Sequence, residues 1–344
     1  MSNGDPRLSA IVVAHRRPVL LRRCVDSLLQ QTERALEVVI VSNDASEAVE
    51  RTVDDLSKRD DRVKTVRSPG VSASEARNYG VSAARGAILY FVDDDVEAPP
   101  GAVAALLDTC ERHPGASIVG GPNLTHPDDP DFAQMTGELL ASAWGTGVAH
   151  GRYAKLSPRA ARERHLILCN LAVRRAVFDE GARFPLHFGG EENVLMGGAD
   201  ARGHELWYSP DVWVHHHRRA SLRTYATQMV RYGDGRAIAL RNAPRTFHPA
   251  YLVPVAFLAY LAALPLVAPS IPYSFTPLVF YAVGSVASGV SIASRRRRFS
   301  WALKLPPLFL LTHVAYAVGL VRTLVRGPPA PRRTGNAGPM RTEI

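Results

Sequence analysis

Three consecutive carboxylates follow an unbroken apolar run, and at this point the chain is suited to hold a cation. The run covers residues 87–92, and Asp93, Asp94 and Asp95 come directly after it. Acids packed this closely repel one another unless a positive charge lies between them. Carboxylate oxygens suit both Mg²⁺ and Mn²⁺, so the sequence predicts a divalent cation without choosing between the two. The structural alternative is a group of acids favoured by the amino end of a helix that begins near Pro99.

The elements around these acids are predicted to form an α/β domain. Residues 87–92 have the composition of a strand that is covered on both faces, as in a parallel sheet. Further β-rich runs alternate with helical stretches, at 8–14, 36–41, 63–66 and 117–119. This alternation is typical of a doubly wound, mostly parallel sheet, which binds ligands at its carboxyl edge. The turn at 15–18 lacks the glycines of a dinucleotide-binding turn.

Other side chains that can do chemistry follow in a definite order. Asp44 ends the second β-rich run, and Arg77 lies on a predicted helix. Glu191 and Glu192 come after a pair of glycines, and three histidines at 215–217 close a strand-like stretch. Alternation along a strand turns the middle histidine away from the other two. Each feature is unspecific by itself, but the order of the whole set is specific.

This ordered set resembles family 2 of the glycosyltransferases over most of residues 8–240. The segments that carry the resemblance are Ser42-Asn43-Asp44-Ala45-Ser46, Ala76-Arg77-Asn78-Tyr79-Gly80, Asp93-Asp94-Asp95 and Gly190-Glu191-Glu192. The resemblance implies a GT-A fold, a UDP- or GDP-linked sugar donor, and Mg²⁺ or Mn²⁺ as cofactor. It also implies an inverting transfer, in which one base takes the proton of the acceptor hydroxyl.

The resemblance also assigns roles to single residues. The donor-binding candidates that it implies are His15, Asp44, Arg77, Asp93 and Asp94. Among them, Asp44 would contact the nucleobase and Arg77 would lie near the nucleotide. The implied metal ligands are Asp95 first, then Asp93, and finally His216, which is reached by counting from the preceding Pro-Asp pair.

The same resemblance makes the second acid of the pair, Glu192, the general base, with Glu191 as the alternative. Family members more often carry Asp at the second position, and Glu reaches one methylene farther, so the choice between the two acids stays open. Neighbouring acids raise each other's pKa, which suits a base. The structural alternative is the solvated first turn of a helix at 191–202.

Two further segments are predicted to serve the acceptor and the membrane. Residues 122–165 have little periodicity and are interpreted as the acceptor side. Residues 218–246 are predicted to form a basic amphipathic helix in the headgroup plane or, alternatively, a helix packed under the core. Within this helix, Gln228, Arg231 and Tyr232 are similar to the Gln-x-x-Arg-Trp motif of membrane-bound members. That similarity implies substrate binding, by Arg231 to the diphosphate and by Tyr232 to the acceptor.

The region at 247–326 is predicted to hold two to three membrane helices. Its apolar runs contain no acids and lie at 251–268, 275–293 and 305–321. They are long enough to span a bilayer, which predicts a multi-pass protein of the cell membrane with a cytoplasmic catalytic domain at 1–217. A tail at 327–344 is predicted to be disordered.

The number of spans stays open at this stage. Arginines before the first run and after the second belong on one side of the membrane. A third span would carry Arg322 and Arg326 to the opposite side, against the positive-inside rule. The alternative is a third run that re-enters because Pro306 and Pro307 break it.

The composition narrows the classes of partner. The chain has 344 residues and a formal net charge of +9. Its arginines cluster beside the apolar runs, which favours phosphates and lipid headgroups over nucleic acid. The three cysteines lie far apart, as expected for reduced thiols rather than a disulfide framework. The first residues lack the apolar segment of a signal peptide.

These features are interpreted as a membrane-anchored, metal-dependent inverting glycosyltransferase. Its acceptor would be a lipid-linked or cell-envelope glycan at the cytoplasmic face, since the region before the apolar runs resembles members of the exopolysaccharide and succinoglycan type. A polyprenyl-diphosphate glycan is the acceptor that this resemblance favours. The first alternative is a non-catalytic nucleotide-sugar-binding or scaffold component of a complex that assembles envelope glycans. The second is a nucleotidyltransferase, which would normally carry a glycine-rich loop after the first strand.

Overall fold

The computed structural model describes residues 5–186 and 189–327, so the predicted tail beyond 327 lies outside the described residues. The strands are β1 (Leu8–Ala14), β2 (Leu36–Asn43), β3 (Val63–Ser68), β4 (Ile88–Asp93), β5 (Val96–Glu97), β6 (Ala116–Gly120), β7 (Asn123–Thr125), β8 (Arg159–Ala160), β9 (Asn170–Arg174), β10 (Glu205–Tyr208) and β11 (Val214–His216). The helices are α1 (Pro18–Leu29), α2 (Glu47–Arg59), α3 (Ala73–Ala83), α4 (Ala102–Arg112), α5 (Asp131–Ala141), α6 (Ala143–Thr146), α7 (Arg175–Asp179), α8 (Glu191–Ala201), α9 (Leu222–Asn242), α10 (Val253–Val267), α11 (Thr276–Arg296) and α12 (Trp301–Arg326).

The main sheet has the strand order β3-β2-β1-β4-β9-β6-β10-β8. The pairs among β3, β2, β1 and β4 are parallel, as is the pair β6–β10, whereas β9 runs antiparallel between β4 and β6. The predicted α/β class with a mostly parallel sheet is confirmed. A smaller sheet, β5-β11-β7, continues beyond the end of β4. The strand-like stretch at 206–217 is therefore two strands in two sheets, because a turn follows Tyr208.

The main sheet is buried on both faces. Along β1, Leu8, Ala10 and Val12 point into one core, which they share with α1, α2 and α4. Ile11 points into the other core, against α3, α7 and α8. Alternate residues of one strand therefore enter two cores, and this explains the unbroken apolar runs in the sequence.

Residues 122–165 contain more regular structure than the sequence predicts. They include β7, the helices α5 and α6, and β8. The helix α5 is buried around much of its circumference. Its buried residues are Ala133, Met135, Thr136, Gly137, Leu139 and Leu140. Gly137 lies so close to Thr125 that an added Cβ would come within 1.8 Å of the threonine Oγ1. A helix covered on several sides shows no single apolar stripe, so its period could not be recognised.

Within the described residues, three helices are long and apolar enough to cross a membrane: Pro249–Val267, Thr276–Arg296 and Trp301–Arg326. The alternative in which Pro306 and Pro307 break the third apolar run does not hold, because α12 continues through both prolines. Both prolines lie in the second turn of α12. Because proline has no backbone N–H, the helix loses only the two hydrogen bonds that the carbonyl oxygens of Ala302 and Leu303 would otherwise accept.

The helices α9 and α12 pack with their backbones in close contact. An added Cβ on Gly319 would lie 2.0 Å from the carbonyl oxygen of Val230, and one on Gly233 would lie 2.1 Å from that of Tyr316. Beside this contact, the buried carboxylate of Asp234 accepts hydrogen bonds from the α12 residues Arg322 at 2.5 Å and Thr323 at 2.7 Å. Glycines therefore set the distance between the two helices, and an acid of α9 fixes their register.

One hydrophobic core runs across the predicted domain boundary at 217. Trp301, Leu305 and Phe309 of α12 belong to the same buried cluster as Leu139 of α5 and Met229 of α9. The middle of α9, from Gly233 to Ala239, is buried throughout. The sheet domain and the apolar helices are therefore packed as a continuous unit along α9 and α12.

The glycine contact can be tested by substitution. We expect Gly319→Ala to lower the midpoint of thermal unfolding, because its Cβ meets backbone atoms that cannot move aside, an overpacking cost of about 1–3 kcal/mol. The matched control is Gly198→Ala on α8, where an added Cβ has nothing within 4 Å. That variant should keep or raise the midpoint, since alanine favours a helix. Circular dichroism of the full chain in detergent measures both, and equal midpoints would contradict the close contact.

Candidate active site

Three neighbouring parallel strands bring polar groups to the carboxyl edge of the sheet. His15 follows β1, Asp44 follows β2, and Asp93 ends β4. Asp44 is exposed and has a positive φ of 47°, a conformation that few residues other than glycine, asparagine and aspartate adopt. The ring of His15 lies with Nδ1 2.9 Å from the carbonyl oxygen of Asn43. The turn that presents Asp44 is thereby fixed to the end of the neighbouring strand.

Asn43 is a positioning residue that the sequence analysis did not single out. Its buried amide oxygen accepts hydrogen bonds from the hydroxyl of Ser68 at 2.8 Å and from the backbone N–H of Val71 at 3.0 Å. Its NH₂ group donates to the carbonyl of Val71 at 2.9 Å. The side chain thus joins the ends of β2 and β3 beneath Asp44.

Arg77 joins the acid strand to the acid pair of α8. Its buried guanidinium donates to Asp93 at 3.0 Å and to Glu191 at 3.3 Å. Burial lowers the pKa of Arg77, but the two carboxylates outweigh this effect and raise it overall. Burial also raises the pKa of Glu191, although Arg77 opposes the shift. The predicted residues Arg77, Asp93 and Glu191 are therefore brought together by direct contacts.

Asp94 and Asp95 are buried, and both carboxylates contact the guanidinium of Arg17. Burial raises the pKa of Asp94 to about 7, against the opposing effect of Arg17. For Asp95, burial alone would raise the pKa, but His216 and Arg17 together lower it. Arg17 lies in the turn after β1, so it brings a positive charge to the acids from another strand.

Asp93, Asp95 and His216 together form a fitting ligand set for a divalent cation. One ligand atom each of Asp93, Asp95 and His216 lies within 4.8 Å of the others. His216 Nε2 is 3.1 Å from Asp95 Oδ1, an oxygen that is buried and lacks an aligned hydrogen-bond donor. The two carboxylates suit Mn²⁺ or Mg²⁺, and the imidazole adds a nitrogen ligand of the kind that transition metals accept. Arg218 lies 3.3 Å from the other ring nitrogen of His216 and holds the ring from behind.

The two acids of α8 have different surroundings. Glu191 accepts the backbone N–H of Gly189 at 2.9 Å in addition to Arg77, so both of its oxygens are engaged. Glu192 is somewhat more exposed, with 14% of its side chain accessible against 9% for Glu191. It accepts a hydrogen bond from Asn193 at 3.0 Å and has Arg152 at 3.6 Å. Of the pair, Glu192 has the freer carboxylate.

The motif on α9 lies near the metal-ligand group through a chain of side chains. Gln228 donates to the hydroxyl of Tyr232 at 3.1 Å, and burial raises the pKa of Tyr232 well above its ordinary value. Tyr232 hydrogen-bonds Tyr153, and the guanidinium of Arg218 lies 5.1 Å from the centre of the Tyr153 ring. Arg231 of the same motif is exposed on the outer side of the helix.

Three arginines of this site were missed by sequence reasoning. Arg17 and Arg152 contact predicted site residues that lie far away in the chain, namely Asp94 and Glu192. Arg218 contacts His216, two residues before it. The sequence did contain a feature that could have identified Arg17, because its turn follows the first strand, at the edge of the sheet where ligands bind. Arg152 had no such feature, because it lies in a stretch without a recognisable period.

Comparisons with known proteins agree with this geometry. The family model described as Glycosyl transferase family 2 matches residues 9–181. The succinoglycan biosynthesis protein ExoM of Rhizobium meliloti is 29% identical over 255 residues, which is 70% of this chain and 77% of that protein. The GalNAc(5)-diNAcBac-PP-undecaprenol beta-1,3-glucosyltransferase of Campylobacter jejuni is 32% identical over 104 residues, or 30% of this chain and 34% of that one. Several other curated relatives are matched over only about a quarter to a third of their length.

A solved structure shares the fold. It is the mannosyltransferase PcManGT of Pyrobaculum calidifontis in complex with GDP-Man and Mn²⁺, with a TM-score of 0.64 and 18% sequence identity. The match covers 94% of this chain and 88% of that one, so it extends over the apolar helices as well as the sheet domain.

Arg17 and a divalent cation would compete for the same carboxylates. Arg17→Gln removes the competing charge, so we expect Mn²⁺ without nucleotide to bind about tenfold more tightly. Calorimetry on the full chain in detergent measures this affinity. The matched control is Arg16→Gln, which removes the neighbouring exposed arginine. Equal Mn²⁺ affinities for the two variants would contradict the competition.

Proposed function

The chain belongs to glycosyl transferase family 2, and on that premise we propose that it is a membrane-anchored, metal-dependent inverting enzyme. It would transfer a sugar from a nucleotide-sugar donor to a lipid-linked or cell-envelope glycan at the cytoplasmic face. The observation that carries this proposal is the bridge that Arg77 makes between Asp93 and Glu191. Through it, the acids expected to bind the donor and the acid pair expected to supply the base lie in one site.

The donor would lie along the carboxyl edge, from Asp44 to Asp95. Asp44 would contact the nucleobase, and Asp93, Asp95 and His216 would hold a divalent cation. When bound, this cation would neutralise the charge of the leaving diphosphate. The related fold of PcManGT was solved with GDP-Man and Mn²⁺, which supports a donor and a metal of these classes. Both UDP- and GDP-linked sugars, and both Mg²⁺ and Mn²⁺, are compatible with the side chains present.

The acceptor proton would go to Glu192. This carboxylate is less enclosed than that of Glu191, whose oxygens are taken by Arg77 and the backbone of Gly189. Arg152 lies 3.6 Å from the carboxylate of Glu192 and would hold it in place at the mouth of the site. Glu191 would instead hold Arg77 in place beside the donor.

A lipid-linked acceptor is supported by where Glu192 lies relative to the apolar helices. The residue after it, Asn193, accepts a hydrogen bond from Arg152 at 2.6 Å and lies 3.4 Å from Arg236 of α9. The guanidinium of Arg236 lies over the ring of Tyr251, at the start of the first apolar helix. An acceptor anchored in the bilayer would therefore approach Glu192 from the side of the apolar helices, with Gln228 and Tyr232 as further contacts, and Arg231 would bind the diphosphate. The name of the Campylobacter relative, which acts on an undecaprenol-linked glycan, points to the same class.

The number of membrane spans that the packing supports is two, namely α10 and α11. Trp301, at the start of α12, donates to the carboxylate of Asp131 at 3.0 Å, and Arg322, near its end, pairs with Asp234. Near both of its ends, α12 thus contacts an acid, of α5 and of α9, and these acids could not enter the hydrocarbon layer at low cost. With α12 docked on the domain, its arginines stay on the side of Arg241 and Arg245, in agreement with the positive-inside rule.

The role of Glu192 can be tested with a pair of variants. We expect Glu192→Gln to bind donor nucleotide and metal normally but to lose transfer by a factor of about 10² to 10⁴, because it removes the base alone. Glu191→Gln should weaken donor binding, since Arg77 loses one of its partners. Calorimetry with UDP and GDP, and transfer from nucleotide sugars to a lipid extract, separate the two effects. Lost transfer with intact donor binding in Glu191→Gln would reverse the assignment. Nucleotide binding by the wild-type chain without any turnover would favour the scaffold alternative.

The two-span topology predicts the side on which the C-terminus lies. Ser270, in the loop between α10 and α11, should become reactive from outside as Ser270→Cys, whereas a cysteine added after Ile344 should not. The three native cysteines are buried and give little background. A membrane-impermeant maleimide on intact cells measures both reactions. If α12 crosses the bilayer, the terminal cysteine reacts from outside, and the proposal fails.

A further inference from the structure

A second group of possible metal ligands lies beside the first and takes no part in the proposed reaction. It consists of Glu97, His126 and His217, whose ligand atoms lie within 4.8 Å of one another. We propose that this group is a second divalent-cation site, of the nitrogen-rich kind that Zn²⁺ occupies. Two imidazoles and a carboxylate are a common protein ligand set for Zn²⁺, which leaves a fourth position for water.

His217 is oriented as a metal ligand is. Its Nδ1 lies 2.6 Å from the carboxylate of Asp129, whose second oxygen accepts the backbone N–H of Arg218 at 2.8 Å. The carboxylate keeps the proton on Nδ1 and leaves the lone pair on Nε2, which is the arrangement found behind metal-bound histidines. Nε2 is buried, has no hydrogen-bond partner, and lies 3.6 Å from Glu97 Oε1. A buried ring nitrogen without a partner is unusual unless a ligand can occupy the space.

His126 presents a second nitrogen to the same carboxylate. Its side chain is only 6% exposed, and Nε2 lies 3.5 Å from Glu97 Oε2. Its ring is stacked on that of His217, with 4.1 Å between the ring centres, so both imidazoles approach the carboxylate from one side. When Nε2 binds a cation, the ring proton must be on Nδ1. In the structure Nδ1 accepts the backbone N–H of Asp128 at 3.2 Å, and a carboxylate oxygen of Asp128 lies 3.8 Å away. Binding of a cation at Nε2 would therefore require the ring proton to move to Nδ1 and Asp128 to turn its carboxylate toward it.

Arg23 supplies the positive charge of this group. Its Nε lies 2.6 Å from Glu97 Oε1, and its terminal nitrogen lies 3.3 Å from His126 Nε2. The N–H is not aligned with the Glu97 oxygen, which is without a hydrogen-bond partner despite the short distance. The side chain of Arg23 is 39% exposed, and the exposed Asp128 lies 3.5 Å away, where it can hold a displaced guanidinium. A divalent cation would therefore exchange with Arg23, just as one would exchange with Arg17 at the acids.

Occupation of this site would stiffen the small sheet that carries the first one. Glu97 ends β5, His126 follows β7, and His217 follows β11, so one ion would link all three strands. Asp95 and His216 lie two residues and one residue away from these ligands. The two sites are therefore adjacent in the chain, and the consecutive His216 and His217 turn their rings to different sides, one into each site.

The experiment must separate the two sites, so it is done with the first one disabled. The full chain carrying Asp95→Asn is stripped of metal in detergent and titrated with Zn²⁺ by calorimetry. We expect one equivalent to bind. Adding His217→Ala should abolish this binding, and adding Arg23→Gln instead should tighten it by about tenfold, because the competing charge is gone.

The tighter Zn²⁺ binding expected for Arg23→Gln keeps the test decisive even if the His217→Ala variant folds poorly. Arg22→Gln, on the exposed neighbouring arginine, is the matched control and should leave the affinity unchanged. Zn²⁺ should also raise the unfolding midpoint of the Asp95→Asn chain, an effect expected for a ligand that binds only the folded state. Absence of Zn²⁺ binding in the Asp95→Asn chain, or equal binding with Arg23→Gln and Arg22→Gln, would overturn the proposal.

Discussion

Negative charge packed at the end of β4 is the constraint on which the rest of the site depends. Asp94 and Asp95 are almost fully buried, and removing a carboxylate from water is unfavourable unless a cation or hydrogen-bond donors replace the water. The pKa of Asp94 stays raised even beside Arg17, which shows that burial outweighs a single arginine there. The acids can be kept together only if several positive groups converge on them. Arg17, Arg77 and His216 come from three different elements to do so.

This convergence also explains why the acid pair of α8 lies where it does. Arg77 cannot neutralise Asp93 and Glu191 together unless the first turn of α8 comes up to the end of β4. Gly190 allows this, because it has a positive φ of 71° and an added Cβ would lie 2.2 Å from the carbonyl oxygen of Gly235. The first turn of α8 is thus fixed by Arg77 on one side and by α9 on the other.

How much of this the sequence could predict depends on the range of each interaction. Asp44 and the acids at 93–95 follow strand signals of a few residues, and these local signals were enough to find them. Arg17 contacts acids that lie 77 and 78 residues away, and its place in the turn after the first strand is a weak local signal. Arg152 reaches Asn193 across 41 residues, from a short 3₁₀ helix at Gly147–Arg152 that has too few residues to show a period. The sequence thus located the charges to be balanced together with Arg77 and His216, but not the arginines that reach the acids from distant parts of the chain.

The apolar helices show the same limit of sequence analysis, because their long-range partners cannot be read from hydropathy. Hydropathy measures composition, and a helix buried beneath a domain has the same composition as one buried in lipid. What the structure adds for α12 is its partners, above all the pairing of Arg322 with Asp234 of α9, and on these contacts the proposed two-span topology rests. Farther along α9, Arg236 lies 3.2 Å from Glu163, and both side chains are only 6% exposed. Because a buried ion pair tolerates little displacement, α9 holds the first turn of α8 and the start of the apolar region in a fixed relation. Any movement of α9 or the apolar helices relative to the sheet would therefore change the position of Glu192.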